Sequence, residues 1–518
     1  MRTKMKFNKT TSVKRICLII VLFCASALLI LSCQKDEPNP TPLDNTLVIS
    51  PMPVFMGMVP VDHVKAQRSV ILFNSGSKAV QVSDFSITGE AAGAFTITNS
   101  PSKNIDPIES VVIDLEYDPS ASGEESAVLK VNSNVGSITD NIFGIGTTSS
   151  DKIEFLRINS VQDQEGLSYG IETADNGLIF IGTNLIKATI EHTDLKVLKT
   201  DKYGAKLWEK TYGGDRSETA AMIVQTSDGA YVIGGSTESF GVKNTDMYLL
   251  KIDGQGNEQW SKTYGGDNFE DIRRIVPTGD GGFLLFGTTR EFQSDVWIVK
   301  VNSTGVQEWE KTLGGEGGEA VGDVLVKSDN SGYLFVGRTT SQDAPTYENT
   351  DVWLVEIDNS GNTVTEKTYG SSTYDIGVGL VKTSDGGYII SGTTVSEDKA
   401  RQAYLLKLNP DYSLAWEKSF GNANNDSFGS VRVKSNGDIL AISSSVREAT
   451  TEHSYREAIL YKIDSSGTQI ASETFTGSKS VDLSSLEPIS DGGYVLCGSS
   501  DSYSLNSASV IVKISANF

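Results

Sequence analysis

The chain has 518 residues, 38% of them hydrophobic, with 44 Lys and Arg against 66 Asp and Glu and a formal net charge of −22. So acidic a balance argues against nucleic acid and anionic lipid headgroups as partners, because both demand net neutralisation of phosphate. Three histidines (His63, His192, His453), far apart in the chain, and four cysteines leave His-based zinc sites, Ser-His-Asp triads and a disulfide framework poorly supplied.

The chain begins with a basic segment, Arg2, Lys4, Lys6, Lys9, Lys14 and Arg15 without an acid, followed by a nearly unbroken apolar run from Ile16 to Leu31. That order marks a secretory leader. The run is shorter than the roughly 20 residues a membrane span needs. It ends in Leu29-Ile30-Leu31-Ser32-Cys33, which resembles a bacterial lipobox. The resemblance implies that residues 1–32 are removed and that Cys33 is acylated, giving a lipid anchor. The next four residues, Gln34-Lys35-Asp36-Glu37, resemble the short acidic export signal of Bacteroidetes surface lipoproteins, which implies the outer face of the outer membrane. Residues 33–45, rich in Pro and polar groups, read as an extended tether. Cys17 and Cys24 leave with the leader, so Cys497 is the one remaining thiol; in Tyr494-Val-Leu-Cys it reads as a small buried hydrophobe.

Residues 46–147 alternate short apolar runs with turn clusters. The runs are Val70–Phe73, Val80–Ile87, Phe95–Ile97, Val111–Tyr117 and Val128–Val131; the turns include Asn74-Ser-Gly-Ser and Asp118-Pro-Ser-Ala-Ser-Gly. Short strands at that interval predict a β-sandwich. The stretches LFNSGSKAVQVSDFSITG and IESVVIDLEYDPSASGEESAVLKVNSN resemble the Hydin-like, choice-of-anchor group of immunoglobulin-like domains. The resemblance implies a spacer or adhesion module and carries no catalytic residues.

From Lys152 to Phe518 the chain repeats. Aligning the last residue of a D-G-G-type turn gives Gly177, Ala230, Gly282, Gly332, Gly387, Gly437 and Gly493. Seven copies of about 52 residues, each read as four strands, predict a seven-bladed β-propeller. The last copy stops after a third strand at Ile514, whereas Ile153–Ile158 precedes the first copy, with Phe155 placed before Asp175 as Trp208 is before Asp228. That segment is expected to supply the missing fourth strand and close the ring, removing exposed edges. The overall expectation is therefore all-β, an immunoglobulin-like sandwich followed by a propeller over residues 152–518 closed by an N-terminal strand. Gly204-Ala-Lys-Leu-Trp208, Gly256-Asn-Glu-Gln-Trp260 and Gly305-Val-Gln-Glu-Trp309 share their spacing with quinoprotein-type propeller repeats, and the DGGY texture resembles repeat propellers of Bacteroidetes surface lipoproteins. The cysteine pair that quinone-binding relatives carry is missing, so no such cofactor is expected. D-G-G itself reads as a hairpin turn repeated for structural reasons.

Each copy also places a carboxylate where its first strand begins: Glu165, Glu218, Glu270, Glu319, Asp375 and Asp426, with Asp482 one place further on. These acids are expected at the mouth of the central channel. They suit two roles, capping of backbone N–H groups or a cation site, with calcium the candidate ion because it accepts carboxylate oxygens in irregular geometry. A second series, Asp194, Asp246, Asp295 and Asp351, opens third strands and gives way to Gln402, Glu457 and Ala508; it reads as a strand-start preference. Trp297 and Trp353 read as packing residues.

The turns of one face are short and uniform. Long, dissimilar connections fall on the other: Ser236–Asp246, Arg338–Asp351, Thr393–Gln402 and Ser444–Glu457, where specificity would sit. The leading expectation is a non-catalytic surface lipoprotein that binds an extracellular glycan or protein through this loop face. The alternatives are a propeller-type glycan hydrolase or lyase using paired carboxylates, or a structural subunit of an outer-membrane assembly.

Overall fold

The computed structural model describes residues 47–518 apart from 51–52, 62–64, 100, 148–151, 160–164, 187–190, 242–243, 291–293, 316, 341–349, 371–373, 396–400, 422–424, 450–453, 477–478 and 502–506. The expected leader, Cys33 and the tether lie outside the described residues, as do His63, His453 and the middles of the long connections. Among the described residues the fold is all-β, with one short 3-10 turn, Ala92–Ala94, and no helix long and apolar enough to cross a membrane.

Ten strands open the chain: β1 (Leu47–Ser50), β2 (Val54–Pro60), β3 (Ala66–Asn74), β4 (Val80–Thr88), β5 (Phe95–Ile97), β6 (Asn104–Ile105), β7 (Ser110–Tyr117), β8 (Gly123–Ser133), β9 (Gly136–Thr147) and β10 (Ile153–Asn159). Two sheets, β1-β3-β7-β5 and β2-β9-β8-β4-β6, enclose one core in which Ile49, Leu72, Ile113, Leu115, Leu129 and Ile142 are buried. The five apolar runs read from the sequence lie in β3, β4, β5, β7 and β8. The strands of these sheets with no such signal are β1, β2, β6 and β9. The inward positions of β9 are Asp140, Ile142, Gly144 and Gly146, and Gly144 is required because the Tyr117 ring lies where a Cβ would stand.

Six four-stranded antiparallel sheets follow. They are β11–β14 (Glu165–Glu172, Leu178–Ile186, His192–Thr200, Lys206–Tyr212), β15–β18 (Glu218–Gln225, Tyr231–Thr237, Asp246–Ile252, Glu258–Tyr264) and β19–β22 (Phe269–Pro277, Phe283–Arg290, Ser294–Val301, Gln307–Leu313). Then come β23–β26 (Ala320–Val326, Gly332–Thr339, Asp351–Asp358, Thr363–Tyr369), β27–β30 (Ile376–Lys382, Tyr388–Val395, Arg401–Leu408, Leu414–Phe420) and β31–β34 (Ser427–Val433, Ile439–Ala449, Ser454–Ile463, Gln469–Phe475). The last strands, β35 (Val481–Pro488), β36 (Tyr494–Ser500) and β37 (Ala508–Ile514), are completed by β10, which pairs antiparallel with β37 through Ile153↔Ile514 to Asn159↔Ser509. The first strands neighbour one another in turn, β11 on β15, β15 on β19, β19 on β23, β23 on β27, β27 on β31 and β31 on β35, and β35 returns to β11. This arrangement is propeller-like.

Second and third strands are buried on both faces between neighbouring sheets, which is why Tyr231–Thr237 and Asp246–Ile252 are near-continuous apolar runs. Outer strands such as Lys206–Tyr212 alternate between exposed and half-buried positions. The repeated G-x-x-x-W spacing is a seam clasp. The Trp260 ring lies beneath Gly305, whose φ of 76° and missing Cβ admit it, and the Tyr264 hydroxyl donates to Gly305 O at 2.6 Å. Trp208 under Gly256 and Trp309 under Gly361 repeat the contact, and Phe155 does the same under Gly204, the role its spacing predicted. At one seam both halves change together. Thr365 stands where a Trp is expected and Tyr412, at φ 66°, where a Gly is expected; Tyr412 packs against Tyr388 and its hydroxyl donates to Glu356 at 2.6 Å.

The D-G-G turns are locked alike. Lys199 Nζ on β13 reaches Asp175 Oδ1 and Thr173 Oγ1, both at 3.0 Å, and Lys407 on β29 repeats this with Asp385 and Thr383. In the fourth sheet the charges trade places, so that Lys327 pairs with Glu356. Hydrogen bonding corrects one alignment point: Lys434 N bonds Asp438 O and Gly437 holds the positive φ, so Asp438 rather than Gly437 matches Gly177.

The N-terminal unit is joined to the repeat region by a shared sheet. β10 pairs with β2 at Leu156↔Met58, Thr147 Oγ1 donates to Glu154 O, and Phe55 and Met58 pack on the core of the last sheet. The strands run continuously as β35-β36-β37-β10-β2-β9-β8-β4-β6. The resemblance implied a spacer or adhesion module, and backbone pairing joins that module to the repeat region.

Candidate functional site

Five of the carboxylates at the starts of first strands, Glu218, Glu270, Glu319, Asp375 and Asp426, are buried. Glu218 accepts from Gly214 N at 3.0 Å and from Thr237 Oγ1 at 2.6 Å; Glu319 accepts from Gly315 N at 3.1 Å and Thr339 Oγ1 at 2.8 Å; Glu270 accepts from Thr289 Oγ1 at 3.0 Å and Gly266 N at 3.4 Å. Each ties the loop before its strand to the end of the second strand, the capping arrangement that satisfies buried backbone donors. Asp482 differs, being half-exposed, with the Ser444 hydroxyl at 2.6 Å and Arg456 at 4.0 Å. Glu165 opens β11 opposite Asn184. Among the described residues no group of three His, Cys, Asp or Glu side chains converges as a metal set.

Sequence reading kept the two carboxylate series apart, and the structure brings them together in pairs across the seams. A Cβ on Gly314 would collide with both Asp295 Oδ1 of β21 and Glu319 Oε2, and Gly213 and Gly265 stand likewise between Asp194 and Glu218 and between Asp246 and Glu270. Burial, with the neighbouring Glu319 adding to it, raises the Asp295 carboxyl above its ordinary range. The recurring first glycine of Y-G-G was the available signal: it is demanded by space, since only a bare Cα fits between the two acids.

A second polar cluster was not legible. Every first strand carries a bulge at the same register, between Leu167 and Tyr169, Ala220 and Met222, Ile272 and Arg274, Val321 and Asp323, Gly377 and Gly379, Phe428 and Val431, and Leu483 and Ser485. Beside these bulges Arg274 Nε donates to Asp323 at 2.9 Å, Asp323 Oδ2 accepts from Leu380 N at 3.0 Å, and Arg432 pairs with Glu487. Burial, then Glu487, pushes the Tyr169 hydroxyl well above its usual range. Each cation here has a carboxylate on the adjacent first strand, so the cluster knits neighbouring sheets together.

The two faces differ in chemistry. On the turn face Lys, Asp and Thr are mutually satisfied. On the loop face, connections between second and third strands run from three residues, 291–293, to eleven, 340–350. Among the described residues two aromatic side chains stand exposed there: Phe240, 41% accessible and stacked on Tyr248 with ring centroids 5.7 Å apart, and Phe269, 50% accessible at the start of β19. Trp297 and Trp353 are buried in seams, as packing residues. Cys497 is buried with Ser485 Oγ at 3.0 Å, and burial pushes its thiol up to about 12.

No protein-family model and no curated relative matches the sequence. Solved structures with a similar fold include a quinoprotein alcohol dehydrogenase-like protein from Bacteroides thetaiotaomicron (8% identity, TM-score 0.36, covering 80% of this chain and 93% of that one). The β-propeller domain of the Trilobed protease from Pyrococcus furiosus is similar at 11% identity and TM-score 0.39, over 66% of this chain and 91% of that one. An α-L-arabinanase from Penicillium chrysogenum is similar at 12% identity and TM-score 0.38, over 56% of this chain and 91% of that one. Identities so low bear on fold alone. The same set holds a puromycin hydrolase, a neuraminidase-like protein and a glucose dehydrogenase. The expectation of a non-catalytic protein is corrected to this extent: enzymes stand among the proteins of similar fold.

Proposed function

We propose that this chain is a lipoprotein of the outer cell surface, held through acylated Cys33, whose repeat region is a seven-bladed propeller that binds an extracellular glycan or protein on its loop face. In this reading the six four-stranded sheets are six blades, β35–β37 with β10 are the seventh, and the N-terminal sheets are an immunoglobulin-like sandwich that positions the disc. The carrying observation is the contrast between faces. The turn face has its polar groups consumed by one another, whereas the loop face presents Phe240 and Phe269 to solvent on adjacent sheets. Exposed aromatic rings suit the apolar faces of sugar rings or a protein side chain.

The test is an array of glycans and peptides probed with the chain starting at Cys33→Ser, reading binding and cleavage together. Phe240→Ala and Phe269→Ala are expected to weaken binding at least tenfold each without moving the thermal midpoint by more than a few degrees. Retained binding in both variants would remove this face as the reader. Cleavage of a bound ligand would assign it a reaction as well.

A further inference from the structure

The N-terminal sheets contain one carboxylate in a place that strand chemistry reserves for an apolar side chain. Asp140 lies on β9 in the inward column that includes Ile142, directly opposite Leu129 of β8 in the ladder. It is 6% accessible, and its Oδ2 has no hydrogen-bond partner. Among the described residues Asp140 makes no ion pair. The other titratable groups buried in or bordering this core are engaged elsewhere: Arg68 on β3 donates through Nη1 to Phe55 O at 2.6 Å, and the Tyr117 hydroxyl on β7 donates to Glu125 of β8 at 3.0 Å. Lys130, the β8 neighbour nearest in register, pairs with Thr139 and so sits on the opposite face of the sheet. A charged carboxylate so placed has given up water for nothing, while its protonated form is a tolerable core residue.

We propose that Asp140 is a proton-sensitive element that tightens the N-terminal sheets in mildly acidic surroundings and loosens them as the surroundings become alkaline. Its position gives the effect a route. β9 pairs in parallel with β2, through Val54↔Ile142 to Pro60↔Thr147, and β2 carries the pairing to β10. Loosening β9 therefore weakens the hold of the N-terminal unit on the closing strand of the ring. Burial alone raises the Asp140 carboxyl to about 6, opposed only by the Asn141 N–H. The sign follows: the folded state holds a proton that the unfolded chain would release near 3.8, so stability is greatest at low pH and is lost as pH rises from there through about 6.

The experiment is thermal unfolding of the chain from pH 4.5 to 8.5, with hydrogen exchange of the β8 and β9 amides as the local readout. In the native sequence the amides of β8 and β9 are expected to lose protection between pH 5 and 7.5, beyond the intrinsic exchange rate, by about tenfold or more. Asp140→Val, which restores the apolar column, is expected to abolish that loss and raise the midpoint of this unit by several degrees at pH 8. Asp140→Asn keeps the shape without the charge and is expected to flatten the same profile. A profile that persists in both variants, or a Val variant less stable than the native chain at pH 8, overturns the proposal. Should either variant fail to fold, the carboxyl carbon of Asp140 in the native, 13C-aspartate-labelled chain decides it: a midpoint at or below 4 overturns it, and one near 6 supports it.

Discussion

Asp228 and Asp385 show how one residue pattern reports itself in pH. The Thr226 hydroxyl, then Lys251, hold the Asp228 carboxyl down at about 2, and Thr383, the Gly387 N–H and Lys407 do the same for Asp385. Depressed carboxyls contribute stability that is fully present above about 3.8 and is lost as pH falls toward about 2. Both side chains are more than half exposed, so after screening each pair contributes about 0.5 kcal/mol. Lys251→Met is expected to lower stability by about that amount at pH 6 and to reduce the slope of the melting midpoint between pH 5 and 2.5; an unaltered slope would place the acid sensitivity elsewhere. Asp295 runs the other way, since its raised carboxyl favours acid. The D-G-G aspartate was legible as a turn residue because its partners are adjacent in sequence. Its lysine, more than twenty residues on, was not. Nor was the meeting of Asp295 with Glu319, which happens across a seam that no local spacing encodes.

Whole strands follow the same division. The four-strand unit could be read because second and third strands are buried on both sides, and the turns that lead into the second strand and out of the third demand Gly or Asn at positive φ. The bulge in every first strand escaped reading because one extra residue breaks the period-two pattern on which strand reading depends. β9 escaped because Asp140, Gly144 and Gly146 occupy its inward places. The seam between β23–β26 and β27–β30 supplies a test of the clasp. Thr365→Trp alone would drive an indole into the space that Tyr412 fills and is expected to cost about 2 kcal/mol. Combined with Tyr412→Gly it rebuilds the Trp-under-Gly contact found at Trp260 and Gly305, and the double variant is expected to recover at least half of the loss in a denaturant titration. Additive losses would show that the clasp is not the unit of seam packing.

At the scale of the whole molecule, closure is where the prediction from sequence was most specific and where it went furthest: β10 takes the place expected of it beside β37. What it left out is the latch. Phe518 is buried in the last core, its main-chain oxygen accepts from Lys434 at 2.7 Å and Lys462 at 3.0 Å, and Lys152 lies over its ring at 5.7 Å. Four residues beyond the last strand therefore tie the sixth sheet to the closing one. Phe518→Ala is expected to cost about 3 kcal/mol, seen as a lower denaturant midpoint with the slope unchanged; a midpoint within error of the native one would mean that strand pairing alone closes the ring. The sharing of β10 between β37 and β2 has a consequence in time as well as in space. During synthesis β10 emerges long before β37, and until Ala508 and its followers are made one side of the closing strand has no partner. A bare strand in that interval invites pairing with another nascent chain. The N-terminal sheets are complete by Thr147, immediately before β10 leaves the ribosome, so β2 is already in place to receive it. The N-terminal unit, made before the repeat, is thus placed to hold the ring's unfinished end in register and to leave open only the side that the last strand takes.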